Sequence, residues 1–155
     1  MAVNEIDRAI GNVESRDNYG AQNPESSAAG RFQFTESTFN GVKKNNPELP
    51  QVTFDEFKKN PVIQDSYQVA LRDEHEKTLN KQGIPVTPTN QYVLHWAGSP
   101  TGTALLRANN DDPLGDFINE KVLAKNKLSP TTTVGEFKAN VESKLTRALN
   151  KNGIT

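Results

Sequence analysis

The stretch "ESRDNYGAQNPESSAAGRFQFTEST", Glu14–Thr38, decides how the rest of the chain is read. One carboxylate stands at its start, a run rich in Asn, Pro, Ser, Ala and Gly follows, and aromatics flank Gln33 near its end. Just upstream, Ile6, Ala9, Ile10 and Val13 recur at intervals of three and four, the period of a helix with one buried face. Asn4 suits the N-cap of that helix. Glu14 falls in its last turn, at the edge of the apolar stripe. Residues 16–35 read as a loop holding at most a small β-hairpin. A loop of about 20 residues counts against such an assignment in a compact domain unless the loop is functional.

Downstream the pattern stays helical. Thr35 or Ser37 can cap a helix carrying Phe39 and Val42, and Thr53 with Glu56 forms a capping box ahead of Phe57. Asn60-Pro61 opens a long helix bearing Ile63, Tyr67, Ala70, Leu71 and Leu79, which stops at Gly83. "PVTPTNQYVLHWAG" (85–98) starts another, capped by Thr89 or Asn90. Two more helical patterns run over about 112–125 and 134–150. No segment alternates convincingly at period two. The predicted fold is therefore mostly α, a helical bundle, with 1–155 as one domain. Ile63, Tyr67, Leu71, Leu105, Leu106, Phe117, Val122 and Leu145 are assigned to its core, and Trp96 to helix packing.

Composition narrows the function. The formal net charge is −1 and the mean hydropathy −0.72, so a nucleic-acid footprint across the whole chain is not expected. The excess of seven Lys/Arg over three Glu in residues 119–151 reads as a solvated helix face. No run approaches the roughly 18 apolar residues of a membrane span, and "MAVNEIDRAI" lacks signal-peptide character. With no cysteine, thiol catalysis and Cys-ligated metals are excluded. His75 and His95, the only histidines, stand twenty residues apart without metal-ligand spacing, so no metal or other cofactor is expected. "GSPTG" (98–102) is too short for a phosphate loop and has no Lys.

Acid–base chemistry by a carboxylate remains. A general acid at neutral pH needs its pKa lifted, by partial burial or by the negative end of a helix dipole. Glu14 has both in prospect.

The string from Glu14 to Phe39 resembles the signature of phage-type lytic transglycosylases, goose-lysozyme-like relatives within the lysozyme-like fold. Its pieces are Glu14-Ser15, Asn23-Pro24, Ser26-Ser27-Ala28, the block Gly30 to Phe34, and Thr35 to Phe39. In the family's order follow "NPVIQ" (60–64), "YVLHWAG" (92–98) and "TVGEF" (133–137). Arg31 and Phe32 depart from the common Leu and Tyr or Met, and Phe39 from a common Trp. Arg31 either alters saccharide contacts or points to solvent.

The resemblance implies a lysozyme-like fold around a substrate groove. It also implies cleavage of the MurNAc-β-1,4-GlcNAc bond of peptidoglycan with formation of a 1,6-anhydro ring. Glu14 is then the single catalytic residue, acid first and base second. Ser15, Ser27, Gly30, Phe32, Gln33, Tyr92 and His95 become the substrate-binding candidates. Each has a plainer reading: a helix-end hydroxyl for Ser15, a turn for Gly30, core packing for Phe32 and Tyr92, a structural role for His95. Gln33 is expected to hydrogen-bond an N-acetyl group or Glu14. The implied partners are peptidoglycan glycan strands and other virion or tail proteins, and the implied setting is a virion acting on the host cell wall. Two alternatives stay open: a hydrolytic goose-type muramidase using Asp17, Glu25 or Glu36 as base, and a non-catalytic wall-binding virion module.

Overall fold

The structure is a computed structural model that describes residues 2–151. Among these residues it is mostly helical, with eight α-helices, one short 3₁₀ turn and no sheet. None of these helices is long and apolar enough to cross a membrane. The chain forms two compact units, one ending at Glu74 and regaining the chain from Arg147, the other spanning His75–Thr146.

In the first unit α1 (Glu5–Ser15) starts at Asn4, whose side chain accepts from the Asp7 N–H while the Asp7 carboxylate accepts from the Asn4 N–H. This reciprocal cap satisfies two of the amides a helix start leaves open. Thr35 caps α2 (Glu36–Asn45), and the Thr53–Glu56 box caps α3 (Phe54–Lys58). Helix α4 (Pro61–Lys81) opens with Asn60 Oδ1 accepting from the Ile63 N–H at 3.2 Å. Phe39, Phe57 and Tyr67 pack at ring separations of 4.9–5.3 Å. Each such contact adds about 0.5–1.5 kcal/mol beyond burial. The Tyr67 hydroxyl donates to the Pro50 carbonyl at 2.7 Å, so its polar tip is satisfied.

The second unit holds the end of α4 and then α5 (Pro88–Ala97), α6 (Ser99–Arg107), a 3₁₀ turn (Leu114–Asp116), α7 (Glu120–Lys125) and most of α8 (Val134–Lys151). Val134, Phe137, Val141 and Leu145 are buried at helical spacing along α8. Trp96 packs on Phe137 at 5.0 Å, as its helix-packing assignment has it.

Several expectations are corrected. The cap of α5 is Thr87 rather than Thr89 or Asn90, because Pro88 takes the first helical position. The helix expected over 112–125 is instead the 3₁₀ turn and α7, since the backbone at Pro113 pairs with Thr133. Helix α6 was not anticipated. Val122 is 43% exposed and is not core, and Ile63, Leu106 and Phe117 are only half-buried. The small hairpin is reduced to isolated antiparallel bridges, Gln22 with Ala29 and Ala29 with Phe34.

Candidate active site

Glu14 is half-buried in the last turn of α1. Two consecutive left-handed residues follow that helix, Arg16 (φ 56°) and Asp17 (φ 62°). For non-glycine residues this conformation costs about 1–2 kcal/mol each, so the surroundings must hold it. The Arg16 amide donates to Asn12 O at 2.9 Å and the Asp17 amide to Gly11 O at 3.1 Å.

Ser15 ties the helix end to the loop. Its hydroxyl donates to the Arg31 carbonyl at 2.7 Å and accepts from the Asn18 amide at 3.0 Å. Its hydroxyl is thus engaged with backbone on both sides.

Gly30 has φ +82°, a conformation that suits glycine. The space a Cβ would take there is filled by the Gln64 amide. Gln64 is 1% exposed; its Oε1 accepts the Arg31 N–H at 2.9 Å, and its Nε2 donates to the Tyr19, Phe57 and Lys58 carbonyls. So the close approach at Gly30 is made by a side chain of this protein. In the sequence Gln64 stands only as the last residue of "NPVIQ" (60–64), at the start of α4.

Gln33 is also left-handed (φ 52°), and its Nε2 donates to the Gly30 carbonyl at 3.0 Å, closing its own turn. Phe32 is 1% exposed and therefore packs as core rather than offering a face to a sugar. Ser27 is exposed; its hydroxyl accepts from the Glu36 amide at 3.0 Å, supplementing the start of α2. With Gln22, Glu36, Phe54 and Lys58, Ser27 lines an open depression of about 340 Å³; Glu14 is not among the lining residues.

Arg31 neither reaches into solvent nor lies open to a ligand. Its side chain is 11% exposed, with Nε on Asp17 Oδ1 at 3.2 Å and Nη1 on the Tyr19 hydroxyl at 2.8 Å and Asp65 Oδ1 at 3.4 Å. The guanidinium also lies over the Tyr19 and Phe32 rings at 5.3 and 5.1 Å. Burial, reinforced by the bond it donates to Asp65, raises the Tyr19 phenol above its usual range, so it stays a donor.

Tyr92 and His95 belong to the second unit, their rings 6.3 Å apart. Tyr92 is buried at 8% exposure, and the His95 ring meets His75 edge-on at 6.5 Å. His75 is itself buried. Desolvation, helped by His95, lowers its pKa to about 3. Among the described residues no group of three or more His, Asp or Glu side chains is arranged to hold a metal ion.

Compared with known protein families and with curated proteins, the chain matches none.

Proposed function

We propose that the protein is a peptidoglycan lytic transglycosylase in which Glu14 is the single acid–base residue. The observation that carries this reading is the convergence of separated signature pieces on the turn that bears Glu14. Ser15 is bonded to the Arg31 carbonyl, and the Arg31 amide to Gln64, across sixteen and thirty-three residues of sequence.

In the proposed reaction the Glu14 carboxyl protonates the glycosidic oxygen as the bond from muramyl C1 breaks. The resulting carboxylate takes the proton from the C6 hydroxyl of the same muramyl residue while O6 bonds to C1. The products are a 1,6-anhydro end and a free GlcNAc 4-hydroxyl. A nucleophile tethered within the substrate needs no second carboxylate to hold a water, unlike a paired-carboxylate glycosidase. Asp17, the nearest candidate base in sequence, is paired with Arg31 at 3.2 Å, which favours this route over the hydrolytic one. By the same resemblance the enzyme acts from a virion, opening the host wall locally together with other virion or tail proteins.

Mass spectrometry of digested sacculi tests the reading. Anhydro-muropeptides, one water lighter than reducing ends, are expected; reducing ends alone would mean a muramidase. Glu14→Gln is expected to lower turnover about 10²–10⁴-fold. Unchanged clearing would remove Glu14 from the chemistry.

A further inference from the structure

Resting on the transglycosylase reading and deepening it, we propose that Arg31 is the positioning residue for Glu14. It would hold the turn after α1 in its left-handed form and so aim the acid. Arg31 is where the sequence departs from the family signature, and the geometry supplies a purpose for the departure.

Both ends of Arg31 grip the segment around Glu14. Its carbonyl receives the Ser15 hydroxyl at 2.7 Å, directly beside Glu14. Its Nε bonds the carboxylate of Asp17, the second of the two left-handed residues. Gly11, one turn before Glu14, has no side chain, and a Cβ there would meet Arg31 Nε and Asp17 Oδ1, each at 2.9 Å. The Arg31 side chain thus lies close against the helix turn that carries the acid. Tyr19 and Asp65, hydrogen-bonded to each other, fix the far side of the guanidinium through Nη1. A lysine, with one point charge instead of a planar fork, does not reproduce the two fixed directions toward Asp17 and Tyr19. A general acid displaced by a fraction of an ångström loses rate rather than affinity.

The experiment compares Arg31→Met, Arg31→Lys, Asp17→Asn and the double variant Arg31→Met/Asp17→Asn. Glu14→Gln is the reference, soluble glycan chains are the substrate, and thermal melts accompany every assay. Arg31→Met is expected to lower kcat about ten- to a hundredfold with KM unchanged. Arg31→Lys should regain melting temperature but only part of kcat. Asp17→Asn should lower kcat as well, and the double variant should fall no further than Arg31→Met, because both changes release one turn. The proposal is overturned by kcat within twofold of the parent in Arg31→Met, by losses that multiply in the double variant, or by a kcat that follows only the folded fraction. An active Glu14→Gln would instead sink the transglycosylase reading itself, so the two failures are told apart.

Discussion

The Gln64 amide stands in the space that a side chain on Gly30 would need: a Cβ there would meet Gln64 Oε1 at 2.4 Å and Cδ at 2.8 Å. Gly30→Ala therefore strains a left-handed backbone and displaces a buried amide that satisfies four backbone groups. The two effects together are expected to destabilise the protein by about 2–4 kcal/mol. In urea the midpoint should drop with little change in slope; an unchanged midpoint would contradict the packing described.

Asp7 is completely buried, and both its oxygens accept from Arg72 Nε at 3.0 Å while Gln68 donates to Oδ1 at 3.1 Å. Removing one partner of a buried ion pair costs about 3–5 kcal/mol, and here the Asn4 amide also loses its acceptor in the cap of α1, while the Asn4 side chain keeps the Asp7 N–H. Asp7→Ala should fall in or above that range by chemical denaturation. A loss under about 1 kcal/mol would show that the pair contributes little.

His75 makes stability fall with acid. Its folded pKa of about 3 lies below the ordinary 6.5, so the folded state favours the neutral ring. This contribution is fully present above the unfolded pKa and is lost as pH falls, because the unfolded chain takes up the proton first. By pH 5 about 2 kcal/mol should be gone relative to neutral pH. Denaturation at pH 7 and pH 5 measures it, and His75→Phe should remove most of the difference.

One substitution in two helices should have opposite signs. Gly41 in α2 is exposed, and a side chain added there would have open space around it, so Gly41→Ala should stabilise by about 0.5–1 kcal/mol through helix propensity. Gly102 in α6 is buried, and a Cβ there would meet Leu94 Cδ2 at 2.6 Å and Leu94 Cα at 3.0 Å. Gly102→Ala should destabilise by about 1–3 kcal/mol. Paired melts decide both.

Most helices were legible because their signals are local. Caps at Asn4, Thr35, Thr53 and Asn60 and the apolar spacing of α1 and α8 lie within a few residues of one another. What escaped depended on tertiary contact. Gly102 weakened the pattern of α6 because Leu94 needs its empty side, and Gly115 departs from a longer helix where a Cβ would meet Pro130 at 3.0 Å. At the candidate site, the place of Glu14 in the last turn of α1 and the irregular loop after it were legible from spacing and composition. The placement of Arg31 and Gln64 was not, because a side chain reaching across the chain leaves no periodic trace. Phe32 illustrates the limit: an aromatic in a loop motif reads alike whether it faces a ligand or, as here, the interior.

The segment after α1 has almost no regular secondary structure, yet many of its amides are bonded: Ala29 with Phe34, Gly30 with Ala21, Arg31 with Gln64. Irregular shape here does not mean conformational freedom. A molecule docking against this face would meet a surface already set, and association would forfeit little entropy in freezing it.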